Sequence, residues 1–245
     1  MRIHVFLFMG LLAWSCSCYF GFGVVGPFTS SAFKCLHASV TGSTTYAVVR
    51  VYQNSHSPAG IDSNGLQTMI NAFEAGFAAN VDVELCRGIN ATSQINLVNT
   101  EILSPLATFN QLIPQYHFFY IKVQPTSNPE CSWEGYSHSD NCNFLKEAAN
   151  AVNNLGWITT IFSTANIWKH FFGSSCDTFA ADTQAIMGYA NYDRTGQVNS
   201  VQSFDDYVPF GGWIVAPNSV MGKQVGGNVT VPLLCGHKAW HAFVD

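Results

Sequence analysis

The sequence predicts a single α/β domain built as a modified, irregular TIM-like (β/α) barrel whose outer ring of helices is incomplete. First, short apolar segments alternate with amphipathic helical segments as far as Phe171. Second, strand-like segments then follow one another with no convincing helical pattern between the later ones. Third, residues 19–245 are enough for one barrel-sized domain and contain no linker, repeat or charge block. Together these observations favour parallel strands that lose their helices late in the chain.

The first half of the chain has the clearest alternation. The predicted strands are 20–25, 46–52 and 77–85. The first predicted helix is 30–38, and the second runs from Asn64 to Gly76. A third helix passes through Ile95 and Leu103 and ends before Pro105. Ser30 or Ser31 is suited to the N-cap of the first helix. Gly76 ends the second helix, and a proline disfavours helical backbone in the residue before it.

The central strand is predicted within Tyr116–Pro125, an aromatic and apolar run between two prolines. In an α/β barrel the side chains at the carboxyl end of such a strand face the active site. Catalytic groups are therefore expected among the residues Ile121, Lys122, Val123 and Gln124. None of these four residues is a carboxylate.

The second half begins with a polar loop over 126–141 and then loses its helical pattern. A helix over 143–155, a strand over 157–162, a short helix over 167–171 and strands over 185–189, 212–215 and 235–244 are predicted. Gly156 ends the long helix. The bare strands at the end predict the gap in the helix ring.

The first 18 residues are predicted to be a secretory signal peptide. A basic start precedes the apolar run Val5–Trp14, and small residues follow as far as Cys18. The run is too short to span a bilayer, so no membrane span is predicted. We expect the mature protein to be secreted, extracellular or in a lysosome-like vesicle.

The cysteines after the signal peptide form an even set, which in an oxidising compartment predicts disulfides. They are Cys35, Cys86, Cys131, Cys142, Cys176 and Cys235. Spacing does not determine the pairing, but Cys131–Cys142 is a plausible local closure, which leaves Cys35–Cys86 and Cys176–Cys235. No Cys-x-x-Cys or paired-histidine spacing accompanies them, so no metal site is predicted. The sequons at Asn90 and Asn228 predict N-glycosylation and fit a secreted protein.

Charge excludes one class of partner. The formal net charge is −5, and phosphate binding needs a basic face, so nucleic acid is not expected as a partner. The chain is predicted to need no cofactor and to be a monomer.

An ordered set of short segments carries a family resemblance. The segments are Phe33-Lys-Cys-Leu36, Ala47-Val-Val-Arg-Val-Tyr-Gln53, Ala75-Gly-Phe77 with Val81-Asp-Val-Glu-Leu-Cys86, Tyr189-Ala-Asn-Tyr-Asp193, Phe204-Asp-Asp-Tyr-Val-Pro-Phe-Gly-Gly-Trp213 and Cys235-Gly236. In this order they resemble the protist-type lysozymes of amoebae and nematodes, within glycoside hydrolase family 25. The resemblance implies a modified α/β barrel with a peptidoglycan groove at the carboxyl ends of its strands.

The resemblance also implies catalytic carboxylates that this chain lacks. Active members carry acids on the first, central and last strands, for proton donation and for stabilising a cationic transition state. Here the matching first-strand position is Val25, and the central-strand positions align with Ile121 and Val123. No Asp or Glu lies from Tyr207 to Val244. The family's usual mechanism is therefore not expected to operate.

The remaining candidates leave two function classes open. Asp82 and Glu84 lie two apart on a predicted strand, so they share a face. They could form a displaced catalytic pair, in which case the protein is a working muramidase. We favour the interpretation that Lys122 pairs with one of them in a filled-in former active site, which makes the protein a lysozyme-like pseudoenzyme that binds a glycan or a protein. The resemblance implies that Tyr189, Tyr192 and Trp213 line the sugar groove, although each could simply be barrel packing.

Overall fold

The computed structural model describes residues 20–39, 45–107, 118–190, 207–214, 220–225 and 241–244. The predicted signal peptide lies outside these ranges, as do Tyr192, Asn228 and Cys235. Of the helices in the described ranges, none has the length and apolar character needed to cross a membrane.

The strands form one curled sheet. They are β1 (Phe20–Val24), β2 (Thr45–Gln53), β3 (Gly60–Ile61), β4 (Ala78–Val83), β5 (Phe118–Lys122), β6 (Ile158–Ser163), β7 (Ile186–Tyr189), β8 (Val220–Val225) and β9 (His241–Val244). Their order is β1-β9-β8-β7-β6-β5-β4-β2-β3, and β1 also pairs with β2. The pairings from β1 through β2 and β4 to β8 are parallel, whereas β9 is antiparallel to both of its neighbours. Because β1 pairs with β2 on one side and with β9 on the other, the sheet bends back on itself.

A mixed α/β fold with a curled, mainly parallel sheet is therefore confirmed. The regular (β/α) barrel pattern is not followed throughout, since β9 is antiparallel and the two-residue β3 is antiparallel to β2. The predicted gap in the helix ring falls mainly on residues 191–206, 215–219 and 226–240, which lie outside the described ranges.

The described helices follow the strands. They are α1 (Ser30–Ser39), α2 (Gly65–Glu74), α3 (Ala91–Val98), α4 (Ser104–Ala107), α5 (His138–Asn154), α6 (Ala165–Phe172) and α7 (Phe179–Thr183), with a π-helical turn, Asn99–Leu103, between α3 and α4. The side chains of Asn90, Ser137 and Thr164 accept backbone N–H groups at the starts of α3, α5 and α6. Gly76 and Gly156, at φ 86° and 79°, supply the left-handed backbone that turns the chain after α2 and α5.

Two helix boundaries differ from the sequence prediction. The helix after β4 does not end before Pro105, because this proline lies in the first turn of α4, where its missing N–H costs little. The predicted loop over 126–141 is too long, because α5 already begins at His138, where the Ser137 hydroxyl accepts the backbone N–H of Asp140.

The later strands also differ. Residues 212–215 were predicted to form a strand, but Phe210 and Trp213 instead pair across a tight turn at Gly211 and Gly212. The strand that pairs with β7 is β8, which the sequence pattern did not predict.

Strand alternation divides the core in two. Residues such as Val49, Val81 and Phe119 pack with the helices in the main core, on the face we call the outer face. Intervening residues such as Val48 and Tyr120 form a smaller cluster on the opposite, inner face of the curled sheet. The candidate site lies on this inner face.

Two disulfides connect segments that follow β4, β5 and β6 in the chain. They join Cys86 to Cys131 and Cys142 to Cys176, and Cys35 is also disulfide-bonded. The predicted Cys131–Cys142 bridge is therefore wrong, as is Cys35–Cys86, and Cys176 is not available to Cys235. Proximity in sequence was a poor guide, because Cys131 lies beside the loop after β4 whereas Cys142 lies on α5, where it reaches the turn after α6.

Candidate functional site

The site is built from neighbouring rows of side chains on the inner face. Strand register places Arg50, Asp82, Tyr120 and Thr160 side by side across β2, β4, β5 and β6. Two residues further toward the carboxyl ends, alternation brings Glu84, Lys122 and Phe162 to the same face. Charged side chains therefore meet at the end of the sheet where α/β barrels carry their active sites.

Lys122 occupies the centre of this arrangement. Its Nζ donates to Asp82 Oδ2 at 2.9 Å and lies 3.7 Å from Glu84 Oε1. Asp82, Glu84 and Lys122 are only 5, 6 and 9% exposed. The predicted pairing of Lys122 with these carboxylates is confirmed, and it involves both of them. Gln124 adds a contact that the sequence analysis missed, since its Nε2 donates to Glu84 Oε1 at 3.1 Å.

Burial and the attraction between opposite charges shift the pKa values of Glu84 and Lys122 in opposite directions. Burial raises the pKa of Glu84, and although Lys122 opposes this, the pKa stays above its ordinary value. Burial alone would lower the pKa of Lys122, but attraction to Asp82 and Glu84 and the hydrogen bond to Asp82 outweigh it and raise the pKa. The ammonium is therefore held in its charged form.

A second ion pair lies beside the first. Arg50 donates from Nε and Nη2 to Asp62 Oδ2, at 3.2 and 2.9 Å. Asp62 Oδ1 also accepts the backbone N–H of Asn64, just before α2 begins. Arg50 lies next to Asp82 in the strand register but is turned toward this loop carboxylate. Sequence reasoning missed this pair, because Asp62 lies beyond the predicted strand in a segment without periodicity.

Three buried polar atoms on β2, β4 and β6 have no hydrogen-bond partner within the described part of the chain. They are Asp82 Oδ1, Gln53 Oε1 and Thr160 Oγ1. Gln53 is the last residue of β2, and the adjacent Tyr52 carbonyl accepts the backbone N–H of Glu84, so this end of β2 lies beside the carboxyl end of β4. An unpaired buried acceptor is costly, and a ligand with hydrogen-bond donors would relieve that cost.

The expected positions of the central-strand acids need correction. Ile121 and Val123 belong to the main core on the outer face, packed with helix residues, and are almost fully buried. The inner-face residues at this level are Lys122 and Gln124, one position later in each case. Carboxylates at positions 121 and 123 would therefore point into the main core and not toward the inner face. Val25 is half-buried just after β1.

Two of the expected groove aromatics are core residues instead. Trp213 is fully buried against Trp168 and Phe179, and its Nε1 donates to the Ala185 carbonyl at 2.8 Å. Tyr189 is also buried, with its ring centroid 4.9 Å from that of Tyr207. Both therefore contribute to packing, which is the alternative to the groove that the sequence left open for them.

Solved structures with a similar fold include lytic enzymes. The structure resembles a muramidase from Acremonium alcalophilum, with a TM-score of 0.58, 13% identity and 92% of each chain covered. It also resembles the spore cortex lytic enzyme SleM of Clostridium perfringens, with a TM-score of 0.62 and 9% identity over 94% of this chain and 68% of that one. At these identities the likeness concerns the fold alone.

Two sequence matches bear on the family to which this chain belongs. Counting factor 45-1 of Dictyostelium discoideum is 23% identical over 215 residues, which make up 87% of this chain and 63% of that protein. This chain therefore spans less than two thirds of its relative. The family model described as "Lys-1: Lysozyme-like protein 1" matches residues 15–224. That match covers most of the chain, which therefore belongs to the lysozyme-like protein 1 family.

Proposed function

We propose that this chain is a secreted, lysozyme-like protein of the glycoside hydrolase family 25 type. It binds peptidoglycan or a related glycan without cleaving it, and it serves in defence or digestion. The observation that carries the proposal is the position of Lys122. Its ammonium lies 2.9 Å from Asp82 and 3.7 Å from Glu84, so neither candidate carboxylate is free.

An ammonium in this position works against glycoside cleavage. The reaction passes through a cation-like transition state, which catalytic carboxylates stabilise and a positive charge repels. Two unit charges about 5 Å apart interact by about 3 kcal/mol at an effective dielectric constant of about 20. Lys122 thus removes the free negative charge that the reaction needs and adds a repulsive charge.

Binding is supported by the unpaired polar atoms. Gln53 Oε1 and Asp82 Oδ1 are hydrogen-bond acceptors without partners among the described residues, and sugar hydroxyls are donors. The muramidase-like fold and the family membership support a glycan ligand. The apolar N-terminal run and the disulfides support secretion.

One observation favours a second candidate, an active muramidase that uses Asp82 and Glu84. The raised pKa of Glu84 beside an ion-paired Asp82 is the asymmetry that a catalytic acid and its ionised partner require.

Peptidoglycan binding is tested by co-sedimentation of the oxidised protein with insoluble cell walls. We expect saturable binding that weakens roughly three- to tenfold in Gln53→Met, which loses the unpaired amide but keeps the length of the side chain. Gln67→Met, on the exposed surface of α2, is the matched control and should bind like the wild type. Absence of saturable binding, or equal binding by Gln53→Met and the wild type, would contradict the proposed binding site.

A further inference from the structure

A separate cleft of about 430 Å³ lies between the loop after β4 and the first half of α5. Its polar and aromatic lining comes from Arg87, Asn90, Tyr136, Asp140, Asn143 and Glu147. The volume is within the range of small-molecule sites in proteins. The cleft shares no lining residue with the inner-face cluster around Lys122.

A stacked pair of side chains gives the cleft an ordered aromatic surface. The Arg87 guanidinium lies 4.0 Å from the Tyr136 ring centroid and 4.6 Å from that of Phe144. Its Nε donates to Asn141 Oδ1 at 2.9 Å, which fixes the guanidinium. Tyr136 remains 43% exposed, so Arg87 holds the ring in place without covering it.

Amide and carboxylate groups surround this ring. Glu147 Oε1 accepts from Asn90 Nδ2 and from Thr92 Oγ1, each at 2.9 Å. Asp140 and Asn143 contribute further polar side chains. One guanidinium faces two carboxylates, so the net charge of the lining disfavours an anionic ligand. An exposed aromatic ring bordered by amides and carboxylates suits a neutral pyranose, whose C–H face packs on the ring while its hydroxyls bond to the border.

We infer that this cleft is a binding site for a neutral N-acetylhexosamine, independent of the proposed function of the inner face. Ile89, which is 39% exposed in the lining, offers apolar contact for the acetyl methyl group, and the carboxylates can accept the acetamide N–H. The sugar has two possible sources. One is a free glycan, and the other is a glycan attached to Asn90 itself.

Attachment at Asn90 would place the sugar at the cleft. Asn90 begins the sequence Asn-Ala-Thr92, and its Nδ2 points to Glu147 of the cleft wall. In that modification Nδ2 bonds to the anomeric carbon of a sugar from a lipid-linked pyrophosphate donor. The bond from that carbon to the pyrophosphate oxygen breaks, and Nδ2 loses one proton.

The free-glycan source is tested with oxidised protein made in a bacterial periplasm without glycosylation. N-acetylglucosamine is titrated while the backbone amide signals of Gly88 and Asn143 are followed by NMR. We expect saturable shifts, weakened roughly tenfold in Tyr136→Ala. Leu97→Ala, a similarly exposed residue that does not line the cleft, should behave like the wild type.

The attached-glycan source is tested with protein secreted by eukaryotic cells and trimmed enzymatically to one sugar per site. Mass spectrometry shows whether Asn90 is modified. If it is, we expect the Gly88 and Asn143 amide signals to differ from those of unglycosylated protein, and the difference to be lost in Tyr136→Ala. A Tyr136-dependent effect in either preparation supports the site and identifies the source of the sugar. Absence of such an effect in both preparations overturns it.

Discussion

Replacing Lys122 with methionine is expected to lower the free energy of unfolding by about 3–5 kcal/mol at neutral pH, although methionine is similar in length and more apolar. The loss arises because Asp82 and Glu84 stay buried and lose the compensating charge of Lys122. Denaturant unfolding followed by circular dichroism measures this quantity.

The pH dependence follows from the directions of the pKa shifts. The pKa of Lys122 is raised above its ordinary 10.5, so its stabilisation is fully present below that pH and is lost as the pH rises through the raised value. The pKa of Glu84 is raised above its ordinary 4.5, so its stabilising contribution is present in acid and is lost as the pH rises through the raised value. The deficit of Lys122→Met should therefore shrink in acid, where the Glu84 carboxyl is protonated.

Lys146→Met is the matched control for this experiment. Lys146 pairs with Asp182 at 2.6 Å, but both side chains are much more exposed than the buried cluster, so the loss should stay within about 1 kcal/mol. Equal losses in the two variants, or a Lys122→Met deficit that does not change with pH, would show that the buried cluster is not an energetically coupled ion pair.

Removing the Cys142–Cys176 disulfide with the double change Cys142→Ala and Cys176→Ala is expected to cost about 4 kcal/mol. The bridge closes a segment with a sequence separation of 34, and loop-closure entropy sets this magnitude. The bridge also ties α5, which packs behind β6, to the turn after α6. The midpoint of denaturant unfolding under oxidising conditions should fall accordingly.

Wild-type protein whose disulfides have all been chemically reduced is the comparison for the double variant. Fully reduced wild type should be less stable than the double variant, because it also loses the bridge of Cys35 and the Cys86–Cys131 bridge, which closes a segment with a separation of 45. A double variant within about 1 kcal/mol of the oxidised wild type would contradict the expected role of the bridge.

The sequence predicted those parts of the site that depend on local patterns. Asp82 and Glu84 share a face because strand side chains alternate, and β4 and β5 are parallel neighbours, so Lys122 could reach both carboxylates. The phase of β5 could be predicted only at its carboxyl end. The aromatic run Phe118-Phe119-Tyr120 has no polar alternation, and only at the carboxyl end do polar Lys122 and Gln124 alternate with apolar Ile121 and Val123.

Features that depend on tertiary packing were missed or misassigned. The cleft at Tyr136 exists because Arg87, from the loop after β4, stacks on residues from the α5 region, more than 45 positions away in the chain. Trp213 was assigned to a groove by resemblance, but the chain turns at Gly211 and buries it beside Trp168. The start of α5 could have been found, since Ser137 and Asp140 have the spacing of a helix N-cap and its partner.

The most direct test of the central claim is the release of soluble muropeptides from purified cell walls by the oxidised protein, measured by mass spectrometry beside an active muramidase at the same molarity. A site filled by Lys122 predicts no release above the background without enzyme, and the same result for wild type, Asp82→Asn and Glu84→Gln. Release by the wild type that either substitution abolishes would contradict the account and establish Asp82 and Glu84 as a working catalytic pair.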